Sequence, residues 1–122
     1  MDNPVNWFEI AVADLDRASA FYEAILGLPL DHHSMGGADM AWFPMNPTGA
    51  GSAGALVKHD TYEPSDKGTV IYFSVDDIEA TLARAQEHGG HVLMPKESIG
   101  EFGFVGMLTD SEGNRIGLHS RA

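Results

Sequence analysis

The chain has no cysteine, which removes disulfides, thiolate zinc sites and a cysteine nucleophile together. A metal centre here would have to use His, Asp, Glu or backbone oxygen. His32 and His33 are the right type for a metal pair. Adjacent residues on a strand point to opposite faces, so the two do not converge easily on one ion, and surface exposure is the expected state. His59, His88 and His91 fall near element ends and read as solvated. Gly49–Gly54 spells GxGxxG, a phosphate-binding fingerprint that needs a helix directly after it. Ala55-Leu56-Val57 follows instead and reads as a strand, so this segment is expected to be a mobile loop. No Gly-x-Ser-x-Gly elbow is present, which leaves serine-hydrolase chemistry without support.

The elements that would position any chemistry come in two copies. WFEIAVADLDRASAFYEAILGLPL (residues 7–30) lies over VIYFSVDDIEATLARAQEHGGHVL (residues 70–93) at an offset of 63, without a gap. A unit of this length repeated once is a duplicated supersecondary module, not a solenoid. Each copy opens with a strand. Phe8, Ile10 and Val12 alternate with Trp7, Glu9 and Ala11, and Ile71, Phe73 and Val75 alternate with Val70, Tyr72 and Ser74. The first set of each is apolar and suits packing under a helix; the second is mixed and suits a cleft. Asp14 and Asp77 are N-caps for the helices that follow. Leu15, Ala18, Phe21, Tyr22, Ile25 and Leu26 form one helical stripe, and Ile78, Leu82 and Ala85 the other. Gly27 and Gly89-Gly90 stop the helices. Further strands are expected at 40–43, 55–58, 102–109 and 115–119, the last two joined by the turn Asp110–Asn114. The reading is α+β, one domain over residues 1–122. It has a βαβββ module at about 5–58, a linker at about 59–68 and a second module at about 69–120.

The 122 residues are 43 % hydrophobic, enough for a core, and carry a formal charge of −11 from 7 basic and 18 acidic side chains. Such a surface repels phosphate backbones and anionic lipid, so neither nucleic acid nor membrane is expected as a partner. No apolar run is long enough to span a bilayer and no signal peptide is evident, which makes a cytoplasmic location the expectation.

Three stretches carry a family resemblance: Asp14-Leu15-Asp16-Arg17-Ala18 through Ala20-Phe21-Tyr22 to Leu26-Gly27-Leu28; Phe73-Ser74-Val75-Asp76-Asp77-Ile78; and Thr109-Asp110-Ser111-Glu112-Gly113-Asn114. With the duplicated module they resemble the vicinal-oxygen-chelate proteins, which include glyoxalase I, bleomycin-binding proteins and extradiol dioxygenases. The sequence looks most like the small glyoxalase-related members. The resemblance implies a curved mixed sheet around a cleft. In metal-binding members four strand residues hold a divalent ion. The matching positions here are Trp7, Val70, Gly117 and, at or near it, Gly54, none of which has a ligating side chain. The expectation is therefore no cofactor.

Glu9, Tyr72 and His119 each lie two residues beyond a vacated position and are expected to face the same cleft. Glu9 and His119 could act as base and acid, or as shifted ligands of a divalent metal, with Tyr72 beside them; alternatively they form a structural pair. Trp7, Trp42 and Phe104 are candidates for flat apolar walls around a ligand, with core packing the alternative for Trp42 and Phe104. The functions to be tested are a metal-independent small-molecule binder, a lyase or isomerase acting on a small carbonyl compound, and a plain interaction module. Exposed sheet edges make a homodimer the expected assembly.

Overall fold

In the computed structural model, which describes residues 3–122, the chain runs β1 (Phe8–Ala11), α1 (Leu15–Leu26), β2 (Asp31–Met35), β3 (Ala38–Trp42), β4 (Gly54–Lys58), β5 (Ile71–Ser74), α2 (Ile78–Glu87), β6 (His91–Ser98), a short 3-10 turn (Gly100–Phe102), β7 (Phe104–Thr109) and β8 (Arg115–Ser120). Each half is the expected βαβββ unit. The strands form two mixed sheets, ordered β1-β4-β3-β2 and β5-β8-β7-β6, each with one parallel pair beside antiparallel ones. The seventh strand starts two residues later than its hydrophobic pattern predicts. Gly103, at φ +106°, turns the chain sharply after Phe102, and only then does pairing with β8 begin.

The caps sit where the sequence puts them. Asp14 accepts from the Arg17 N–H and Asp77 from the Ala80 N–H, both at 3.0 Å. Gly27 closes α1 at φ +67°, its N–H donating to the Glu23 carbonyl. One apolar core spans both halves. Ile10, Val12, Phe21, Tyr22, Ile25 and Leu56 meet Ile78, Leu82, Leu108, Ile116 and Leu118, and Phe8 and Phe73 pack against them. The helices pack on each other and on their own sheets. No described helix is long and apolar enough to cross a membrane.

β1 and β5 are both edge strands, and the junction between the halves runs beside them. One end of it is sealed by the β7–β8 turn. Asp110 accepts from the Tyr22 hydroxyl at 2.5 Å, from the Asn114 side-chain amide, and from the Glu112 and Asn114 backbone N–H groups. Asn114 donates to the Ala11 carbonyl at 2.8 Å. Glu112 accepts from the Ala13 and Asp14 N–H groups and takes Arg17 through two nitrogens. Burial pushes the Tyr22 phenol well above its ordinary pKa, and the Asp110 carboxylate beside it adds to the rise. Burial alone would raise Glu112. The bonds from Arg17, Asp14, Ser111 and Ala13 outweigh it and hold the carboxyl at about 2.

Candidate functional site

Strand alternation gives each sheet a face under the helices and an open face. On the first sheet the open face carries Trp7, Met40, Trp42, Ala55 and Val57, a second small apolar cluster separate from the main core. Trp7 and Trp42 meet edge to face with ring centroids 5.4 Å apart. His33 stacks on the other side of Trp42 at 4.1 Å and 34°, and its Nε2 is 3.1 Å from Asp31. The result is an aromatic row, His33–Trp42–Trp7. Among the described residues the buried indole N–H of Trp42 has no hydrogen-bond partner.

Glu9 ends this row. Its Oε1 accepts from the Tyr62 hydroxyl at 2.5 Å, and its Oε2 is 3.4 Å from the Trp7 indole nitrogen. The hydrogen bond to Glu9, and the carboxylate charge with it, raise the Tyr62 phenol above its ordinary pKa. Tyr62 in turn lies against His59, whose Nδ1 is held by Thr61.

The second sheet places its candidates separately. Tyr72 is opposite Gly117 in the parallel β5–β8 pair and is half exposed. A Cβ on Gly117 would come within 2.5 Å of the Tyr72 ring, so a glycine there is what lets the ring lie flat. His119 stands opposite Ser74, and its Nε2 donates to the Phe102 carbonyl at 2.7 Å. Glu9 and His119 thus have different partners. No hydrogen bond or ion pair joins them or Tyr72 among the described residues.

Two placements decide between readings that the sequence left open. Phe104 pairs with Ser120 and shares its face with Gly106 and Leu108, so it packs against the main core with Lys96 4.5 Å above its ring, away from the open face. Gly54 is also on the helix side: it is opposite Phe8, and a Cβ there would strike the Phe8 carbonyl and ring. The open-face residue opposite Glu9 is Ala55, the counterpart of Gly117 opposite Tyr72. Ala55 carries no donor atom either. Among the described residues no three His, Asp or Glu side chains are grouped to hold a metal ion. The residues present do not fit a divalent ion.

Tyr62 and His33 are the members that sequence reasoning missed. Tyr62 falls in the stretch read as a linker, 53 residues from Glu9, where no local pattern points back to β1. His33 follows from parity once β2 is known, because it pairs with Met40 while its neighbour His32 takes the other face.

The chain matches the Glyoxalase/Bleomycin resistance protein/Dioxygenase superfamily over residues 5–118. It is 27 % identical over 115 residues to CFP32 of Mycobacterium bovis, a protein that carries the name of a glyoxylase; the match spans 93 % of this chain and 44 % of that protein. The anthracycline biosynthesis protein DauV of Streptomyces sp. (strain C5) is 35 % identical over 94 residues, 72 % of this chain and 31 % of its own. The chain therefore spans less than half the length of these relatives. Among solved structures, the antibiotic binding protein TnmS3 from Streptomyces sp. CB03234 superposes with a TM-score of 0.70 at 29 % identity, covering 98 % of this chain and 97 % of that one. A glyoxalase-related enzyme from Fulvimarina pelagi superposes at 0.69 and 14 % identity, covering 97 % and 88 %.

Proposed function

The chain belongs to the Glyoxalase/Bleomycin resistance protein/Dioxygenase superfamily, and from that premise we propose that it is a metal-independent binder of planar aromatic small molecules. The observation that carries this reading is the row His33–Trp42–Trp7 ending in the Glu9–Tyr62 pair. Flat rings stack on such a row, and a carboxylate at its end takes a hydroxyl or amine of the ligand. An acceptor on the ligand that reaches the Trp42 N–H relieves an unmet donor worth about 1–3 kcal/mol. The likeness to an antibiotic binding protein and to an anthracycline biosynthesis protein supports the same ligand class. A second copy of the chain covers the open face in this reading, so the assembly is a homodimer.

Titration with an anthracycline, followed by fluorescence of the two tryptophans, tests the proposal. Saturable quenching that Trp42→Ala abolishes, with the fold intact, is the expected result. Absence of saturation across the soluble range would overturn it.

The short Tyr62–Glu9 bond favours one other reading, a glyoxalase-related lyase or isomerase with Glu9 as the base, in keeping with the name of CFP32. Conversion of a small carbonyl substrate that disappears in Glu9→Gln, and not on removing metal, would establish that instead.

A further inference from the structure

The junction that the Asp110–Asn114 turn seals at one end is open at the other. A cavity of about 610 Å³ lies there, lined by Phe8, Leu26, Leu28, Phe43, Val70 and Phe73 and walled by the glycine-rich loop at residues 50–53. This volume is in the range of small-molecule pockets. The duplicated module explains why space remains. At the offset of 63, Tyr22 of α1 corresponds to Ala85 of α2, and Arg17 to Ala80. The first half has no counterpart of the Asp110–Asn114 turn; its β3–β4 connection is the loop that walls the cavity instead.

The polar requirement of the cavity can be read from the sealed end. In the parallel β5–β8 pair the Val75 N–H bonds the His119 carbonyl, so the backbone groups of Ser74 point the other way, out from the sheet edge. Ser74 is the repeat counterpart of Ala11, whose carbonyl takes the Asn114 amide. Among the described residues no side chain donates to the Ser74 carbonyl. Of the charged groups in the adjoining recess, Asp77 is taken up in capping the Ala80 N–H and the Arg84 guanidinium donates to the Ile25 carbonyl and the Thr81 hydroxyl, which leaves Asp76 as a further acceptor.

We propose that this cavity is a second small-molecule site, distinct from the open-face aromatic row. Its ligand is a neutral, largely apolar molecule whose secondary-amide N–H takes the place at the Ser74 carbonyl that Asn114 fills at Ala11. The chain's strong negative charge disfavours an anion there, and the predominantly apolar side chains of the lining, none of them ionised at neutral pH, disfavour any charge.

N-phenylbenzamide is a suitable probe, with phenyl benzoate, which lacks the N–H, as its match. Binding is read by backbone amide and methyl chemical shifts. Saturable shifts at Leu26, Leu28 and Ser74 are expected, with the ester about tenfold weaker for the loss of one hydrogen bond. Leu28→Trp, at the exposed rim, should block the probe without unfolding the protein. Trp42→Ala should leave it bound, which separates this site from the one proposed above. Equal affinity for amide and ester, shifts confined to the Trp7 and Trp42 indole N–H groups, or no saturable shift would each overturn the proposal.

Discussion

The two ends of the inter-module junction are repeat counterparts built from opposite materials. At one, a tyrosine, two carboxylates, an asparagine and an arginine bond one another in a continuous network. At the other, alanines, glycines and phenylalanines leave room. The difference shows how a duplicated fold can divide its work: one copy of an interface supplies rigidity, and the other is free to hold a ligand. The same division separates the sheets. The open face of the first carries the aromatic row, whereas that of the second carries a half-exposed tyrosine laid on a glycine.

Breaking the sealed end should have the largest effect. Asp110→Ala strands the Tyr22 hydroxyl and two backbone N–H groups and takes one of its two acceptors from the Asn114 amide, at a largely buried site. Loss of about 3–5 kcal/mol is expected, as for other buried networks deprived of one partner. Urea denaturation would measure it. At the open end, Ser74→Ala should change stability by less than about 0.5 kcal/mol, as surface substitutions generally do. Similar losses at both ends would erase the contrast.

Glu112→Ala should come next, at about 1–2 kcal/mol, because it removes the acceptor for the two N–H groups that lead into α1. The same carboxylate sets a pH signature. Its folded pKa of about 2 lies below the ordinary 4.5, so the unfolded state binds the proton more readily. The stability Glu112 contributes is complete above about pH 4.5 and is lost as pH falls toward 2. Thermal unfolding across that window should show a decline that Glu112→Gln flattens. An unchanged decline in the variant would place the acid sensitivity elsewhere.

The sequence made the skeleton legible and the site only half so, for a physical reason. Period-2 and helical patterns are local, and the caps at Asp14 and Asp77 and the stop at Gly27 act over three or four residues. These needed no tertiary information. Trp7 and Glu9 could be assigned to one face for the same reason. Phe104 could not, because its hydrophobicity fits either face until its parity with Gly106 and Leu108 is fixed by the pairing with β8. The fourth vacated position, read at or near Gly54, could not be fixed to one residue for the same reason, since a one-residue shift in a strand exchanges the faces. Tyr62 and the Tyr22–Asp110 bond join residues 53 and 88 apart, and only the assembled fold brings them together.

The smallest effect belongs to the open face, where Tyr62 and Glu9 are exposed and their bond adds little to stability. Its signature is titration rather than melting. Ultraviolet titration of the tyrosines should resolve Tyr62, raised by Glu9, from Tyr22, which is buried and raised well above its ordinary value. Glu9→Gln removes the carboxylate charge and should bring the Tyr62 transition down, leaving Tyr22 where it was, since Tyr22 answers to its burial and to Asp110. If Tyr62 does not move, Glu9 is not its partner in solution, and the aromatic row does not end in a Glu9–Tyr62 pair. If it moves, adding the aromatic ligand to the wild-type chain offers a sharper check. A ligand hydroxyl or amine that engages Glu9 competes with the Tyr62 hydroxyl for the same carboxylate and should lower that transition in proportion to occupancy.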